Sequence, residues 1–300
     1  MQGRDAGGTA GVCGGHASSI AGRVVSAFLS RGYRIVDYSD TRGCVDFIAK
    51  SSSGVFAVRV LSNVDALREE SVAEFVRLAA AVGATPLIVG ERTKRDVLSD
   101  DVVYRRYGVS VVTPATLERI LDGDIPVLEE FRGRRVVYFD PEALRRARES
   151  LGLSQNDLAR EIGTTKDSVY RYERGFPASE ATARKIVGVL GSQVLAPVDI
   201  GFKGRVERCS VFEFRRAPWD VFVSVRQSLA LSRARGVIKR KIEILRRGSG
   251  VIHDYYAVVV KSESKAPENV PVLTEEDLRS AERPEELVKK VRDELDEIEG

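Results

Sequence analysis

Residues 141–176 read PEALRRARESLGLSQNDLAREIGTTKDSVYRYERGF, and the spacing of caps and stops in that stretch leaves the backbone little choice. Asp140 stands where a helix N-cap would be. Pro141 follows at the first helical position, where its missing N–H would have no partner anyway. Gly152 stops that helix, and Ser154 caps a second, with Asp157 three residues on to complete a capping-box-like arrangement. Gly163 stops the second, Thr165 caps a third over 166–174, and Gly175 ends it. Three short helices follow, the last two joined by a turn of about four residues.

Apolar residues recur at the spacing such a bundle needs. Leu144, Ala147, Leu151, Leu153, Leu158, Ile162, Val169 and Tyr172 point inward, joined by Ile186, Val187 and Leu190 from later helices. The outward face of the third helix carries Lys166, Asp167, Tyr170, Arg171 and Arg174. Long donors, an acceptor and an aromatic suit base edges and phosphates. The helix starts at Ser154 and Thr165 offer free N–H groups to phosphate oxygens.

The stretch LGLSQNDLAREIGTTKDSVYRYERG resembles the Cro/phage-repressor-type (xenobiotic-response-element-like) helix-turn-helix family. The match runs through Leu151, Gly152, Leu153, Ser154, Gln155, Leu158, Ala159, Gly163, Glu173 and Gly175. The resemblance implies that Lys166, Asp167, Tyr170 and Arg171 face base edges. It also implies that Gln155, Thr165, Ser168 and Arg174 lie at the phosphate backbone, and that Arg148 and Glu173 form a partly buried ion pair. A module that kept the fold and lost DNA is the bland alternative, since charges here nearly balance.

Three hundred residues is about twice a typical domain, so the rest of the chain must fold around this centre. At 43% apolar and 30% charged it has the composition of a globular protein, and its net charge is only +3. Any nucleic-acid surface must therefore come from the placement of charge. No run of 18 apolar residues would span a membrane. Residues 1–17 read as a flexible Gly-rich tail, with no apolar stretch of the kind that directs secretion. The cysteines Cys13, Cys44 and Cys209 are scattered and the histidines are His16 and His253. Cys13 and His16 share a CGGH tetrapeptide, but two ligands do not make a tetrahedral site, so no metal and no cofactor is expected. Nucleophilic triads have almost no histidine to use, GxxxxGK[ST] is missing, and the cytoplasm is the natural compartment.

Residues 18–132 read as an α/β domain. A helix over 18–31 puts Ile20, Val24, Phe28 and Leu29 on one stripe. Strand runs over 33–38, 44–49 and 55–61 follow, then a helix over 65–82, strands over 86–89 and 109–113, and a helix over 114–121. With Asp46 on one strand, this order resembles the PD-(D/E)xK nuclease fold, whose chemistry uses two carboxylates on Mg²⁺ and a lysine. Here the strand that should carry E-x-K reads Ala57-Val58-Arg59, so cleavage is not expected.

Residues 138–191 form the helical centre and 195–300 a second α/β domain with an acidic helical end. In that domain strand runs cover 211–214, 221–225 and 256–260. The stretch 109–117 and the stretch 270–278 share the form V-x-V-h-T-x-x-x-L, each preceded by an apolar strand and, earlier, a strand with Asp46 or Asp220. One reading is a duplicated α/β domain; the other is a strand–cap–helix turn common to many folds. The run SRARGVIKRKIEILRR over 232–247 holds seven Lys/Arg and one Glu. It reads as an amphipathic helix that is either a solvated face or a second phosphate-contacting surface.

The expected fold class is thus α/β plus all-α: a central lambda-repressor-like bundle between two α/β, nuclease-like domains. Over essentially its whole length the arrangement resembles a family of archaeal HTH-type transcriptional regulatory proteins. The expected function is sequence-specific, non-catalytic regulation of transcription on double-stranded DNA by a homodimer. The alternatives are an HTH-targeted Mg²⁺-dependent nuclease and a protein-interaction adaptor. The sequence names no effector ligand.

Overall fold

Strand signals broken by turns build the first unit of the computed structural model, which describes residues 19–41, 43–131, 133–202, 210–235, 237–261, 267 and 269–299. The expected tail with Cys13 and His16, and Cys209, lie outside the described residues. Helix α1 (Ile20–Leu29) is capped by Ser19 and buries Val24 and Phe28; Leu29, expected on the same stripe, is exposed. Strands β1 (Arg34–Asp37), β2 (Phe47–Ser51) and β3 (Gly54–Asn63) follow, then α2 (Glu69–Ala81) and β4 (Thr85–Arg92). Next come β5 (Val102–Arg106), β6 (Val109–Val112) and α3 (Pro114–Leu121), capped by Thr113. Strand β5 escapes the sequence reading because VVYRR shows no clean alternation; it is placed by pairing antiparallel to β6.

Helices α1 and α3 cover one face of this sheet, with Phe28 packed edge-on against Phe47 and Tyr33. The central strands are buried on both faces, which explains near-continuous apolar runs such as PLIVG.

The sheet continues past the break expected near 132. A hairpin, β7 (Leu128–Phe131) and β8 (Arg134–Phe139), turns at Gly133 with φ +76° and joins β5 through β7. From β8 the chain enters α4 (Pro141–Ser150), α5 (Gln155–Ile162) and α6 (Lys166–Tyr172), then β9 (Ala178–Ser179), α7 (Glu180–Leu190) and β10 (Leu195–Ala196). The middle section is therefore not helical throughout. The free edge of β8 takes β9 at Val136–Val137 and β10 at Tyr138–Phe139, because an open edge offers unpaired N–H and C=O groups. Ten strands share one sheet, in the order β1-β2-β3-β4-β6-β5-β7-β8-β10 with β9 also on β8. Val137 and Phe139 of β8 belong to the same apolar core as Leu144, Leu158, Ile162, Val169 and Ile186.

The last unit is a five-stranded sheet: β11 (Val211–Glu213), β12 (Val221–Ser224), β13 (Ser228–Arg233), β14 (Tyr255–Val260) and β15 (Val272–Thr274). Helix α8 (Ile238–Gly248) lies between β13 and β14, and α9 (Glu275–Ser280) and α10 (Pro284–Glu299) follow β15. The basic stretch is thus part strand: Ser232 and Arg233 end β13, and the helix begins only at Ile238. Leu287, Val288 and Val291 of α10 cover one face of this sheet. Its other face, with Ile244 and Leu245 of α8, shares one core with α2 and the back of the first sheet.

In that seam Tyr38, Trp219 and His253 stack edge to face, with centroids 5.7 and 6.0 Å apart. A Cβ on Gly248 would lie 2.6 Å from Tyr38 Oη and 2.7 Å from His253 Nε2, so α8 closes on them only through glycine. Burial pushes the His253 imidazole down to about 4. Its folded value is below its unfolded one, so the unfolded chain binds the proton more readily and stability falls as pH drops from about 6.5 towards 4. Urea denaturation between pH 7 and pH 5 should show that loss in the wild type, and His253→Gln should flatten it. An equal slope in both proteins would rule out His253 as the group responsible.

Candidate nucleic-acid interface

Each helix of the central unit begins on a side chain that satisfies its first free N–H groups. Asp140 Oδ1 accepts from Ala143 N–H at 2.8 Å. Ser154 and Asp157 close a full capping box: Asp157 N–H donates to Ser154 Oγ (3.1 Å) and Ser154 N–H to Asp157 Oδ2 (3.0 Å). The Ser154 hydroxyl and N–H pull the Asp157 carboxyl down to about 2. Thr165 Oγ1 accepts from Ser168 N–H at 3.2 Å and exchanges a hydroxyl hydrogen bond with Ser168 Oγ at 3.0 Å. Gly163 takes the left-handed conformation, φ +69°, that lets the chain turn from α5 into α6.

Beneath the surface a carboxylate ties the helices together. Arg148 Nε donates to Glu173 Oε1 at 2.6 Å, with both side chains over nine-tenths buried. Arg148 Nη1 also reaches Leu153 O (2.8 Å), and Gln155 Nε2 donates to Glu173 Oε2 at 2.7 Å. The pair is enclosed and fully hydrogen-bonded, which is what a buried pair requires. Gln155 is half-buried and has one amide hydrogen committed to this network.

Lys166, Asp167, Tyr170, Arg171 and Arg174 are exposed in the full chain, so neither flanking unit covers this face of α6. Thr165 is exposed and Ser168 half-buried beside it. Two of the cations are held by aromatic rings: Arg174 Nη1 donates to Tyr170 Oη at 2.7 Å, its guanidinium 5.4 Å from the ring centroid. The Arg171 guanidinium lies 4.9 Å from the centroid of Phe176, which is 48% exposed. Sequence reasoning passed over Phe176; an aromatic just past the helix-ending Gly175 was the available signal. Leu151, assigned inward from sequence, is 54% exposed, because Gly152 turns the chain there and leaves its side chain outside the bundle.

The candidate nuclease centre looks different. Asp46 Oδ2 accepts from Val60 N–H at 2.6 Å and lies 3.8 Å from Arg59 Nε, and Arg59 also donates to Gly43 O. Burial raises the Asp46 carboxyl above the usual carboxylate range. Ala57 stands where a second carboxylate would be. One carboxylate, already engaged by a backbone N–H and facing a guanidinium, is a poor ligand set for Mg²⁺. Among the described residues no group of three or more His, Cys, Asp or Glu could hold a metal ion, and Cys44 is a buried free thiol. The cations of the basic helix α8 are divided between internal pairs and solvent. Lys241 Nζ lies 2.9 Å from Asp220 and Arg247 pairs with Asp40 and Glu243, while Lys239, Arg240 and Arg246 are exposed, Arg240 donating to Asp40 O and Arg246 to Tyr256 Oη.

Comparison with known proteins matches both regions of the chain. The family model described as a PD-(D/E)XK superfamily domain matches residues 17–126, and the one described as Helix-turn-helix matches 144–194. A relative from Archaeoglobus fulgidus is 30% identical over 291 residues, covering 88% of this chain and 94% of its own. One from Thermococcus gammatolerans is 26% identical over 296 residues, 88% of this chain and 93% of its own. Both bear the name "Putative HTH-type transcriptional regulatory protein". A Halobacterium salinarum protein of similar name is 36% identical over 185 residues, 61% of this chain and 58% of its own. No solved structure matches the chain significantly. With a helix-turn-helix at its centre and relatives along most of its length, the chain belongs to this family of archaeal HTH-type transcriptional regulatory proteins.

Proposed function

We propose that the chain is a sequence-specific reader of double-stranded DNA that regulates transcription in the cytoplasm without cleaving its target. The observation that carries this reading is the exposed face of α6, which stands on capped helices locked to a ten-stranded sheet. In this reading α6 enters the major groove, where Lys166, Asp167, Tyr170 and Arg171 meet base edges. Gln155, Thr165, Ser168 and Arg174 take phosphates, Gln155 with the amide hydrogen that Glu173 leaves free. Phe176 and Tyr170 restrain Arg171 and Arg174 at the surface, which lowers the entropy lost when they meet DNA. Two chains on a palindromic operator would set their heads about 34–36 Å apart. The names of the relatives favour regulation over any other use of DNA. The matching topology of the two outer units favours a nuclease-like fold retained twice as scaffold.

A selection from random duplexes should return an enriched site. On that site Arg171→Ala should weaken binding by about 1–3 kcal/mol and relax discrimination at the position it reads. Equal loss on every sequence would assign Arg171 to the backbone, and no enrichment at all would favour a protein adaptor. Incubation of supercoiled and linear DNA with Mg²⁺ or Mn²⁺ should leave it intact. Cleavage that disappears in Asp46→Ala would make the chain a nuclease.

A further inference from the structure

Five strands of the first outer unit have the same arrangement as the five of the last. In the first, β1-β2-β3-β4-β6 are paired antiparallel, antiparallel, parallel, parallel; in the last, β11-β12-β13-β14-β15 are paired in the same senses. Helix α2 joins β3 to β4 as α8 joins β13 to β14, and a threonine caps the helix after the last strand in each, Thr113 and Thr274.

The local chemistry repeats too. Asp46 N–H donates to Val58 O at 3.0 Å and its carboxylate takes Val60 N–H at 2.6 Å. Asp220 N–H donates to Leu231 O at 2.9 Å and its carboxylate takes Arg233 N–H at 2.7 Å. The cation beside each aspartate comes from a different place, Arg59 on β3 and Lys241 on α8. A strand–cap–helix turn common to many folds does not reproduce a carboxylate clamp two strands away.

The units also face each other reciprocally. Helix α2 packs on β11 and β12 while α8 packs on β1. Each β-hairpin connection is gripped by the opposite unit's helix. Glu74 of α2 accepts from Arg216 N–H (2.7 Å) and Arg215 N–H, and Arg247 of α8 donates to Asp40 at 2.8 Å. The two connections touch through Cys44 N–H, which donates to Arg216 O at 2.7 Å, and a Cβ on Gly43 would come within 2.7 Å of the same oxygen. Mutual exchange of the same elements is how an isologous, two-fold interface is built.

We infer that residues 211–280 are a second nuclease-like unit and that the two units pair within one chain, an internal pseudo-dimer that carries a single reading head. The surface by which one such unit would recruit another copy is already filled. The chain is therefore a monomer without DNA, and one chain serves one half-site; this last clause rests on the DNA-reading function proposed above.

Mass photometry and sedimentation of the full chain should give a monomer from nanomolar to tens of micromolar, with a melting temperature independent of concentration. Asp40→Arg and Arg247→Glu should each lower that temperature, and the double variant should recover most of the loss. Mixing and co-refolding the two single variants should restore nothing, because the partners sit in one chain. Recovery on mixing, together with a dimer mass, would mean that the units pair between chains and would overturn the inference. So would a concentration-dependent melt of the wild type. On the enriched duplex cut to one half-site, titration should end at one chain per duplex; two would contradict the single head. If no duplex binds at all, the DNA-reading function fails, while the mass and charge-swap results still decide the pairing.

Discussion

Strand β8 is where the molecule holds together. Its backbone pairs with β7 along one edge and with β9 and β10 along the other, while Val137 and Phe139 are core residues of the helix-turn-helix. The same strand thus belongs to the large sheet by hydrogen bonds and, through Val137 and Phe139, to the helical unit by apolar burial. Five residues after Phe139, Leu144 begins the core of α4, and there is no slack between sheet and helix for a hinge, since Asp140, the residue that follows the strand, is already the cap of the helix. In the DNA-reading function proposed above a rigid mount matters, because contacts to base edges depend on matched donor and acceptor geometry.

The second constraint is the seam. Both outer sheets bury one face under their own helices, α1 and α3 on the first and α10 on the last, and bring the other face to a common core. Tyr38, Trp219 and His253 meet there over Gly248, and the charged residues around the rim pair across it. Such burial accounts for the basic helix α8. Its Arg247 pairs with Asp40 across the seam and its Lys241 with Asp220 within the last unit, so part of a run of cations that looks in sequence like a phosphate surface is engaged internally. Asp46 and Asp220 each clamp two neighbouring strands, and that structural work is a reason for an aspartate at each place.

Much of the interface was legible in the residues. Caps and stops are local: Asp140, Ser154, Thr165 and Gly163 act on the turn they sit in, so the helices of the central unit could be drawn from sequence to within two residues. The exposed face of α6 followed from its period. What could not be read there was anything that depends on a partner distant in sequence. Strands β5, β7, β8 and β13 gave no clear signal of their own and exist because neighbours supply their hydrogen bonds. Leu151 fits the apolar period but falls past the helix end, and Phe176 lies outside any period and finds its place on Arg171.

By itself, then, the sequence determined the three capped helices, the side chains that α6 offers, and the loss of the carboxylate at Ala57, since each is written within a few consecutive residues. Only the tertiary structure decided that the helical unit is stitched to a sheet, that the basic helix turns Ile244 and Leu245 into a seam, and that the two outer units clasp each other. Those outcomes rest on hydrogen bonds and buried surface between segments tens to hundreds of residues apart, and no local period encodes which distant edge or face a segment will meet.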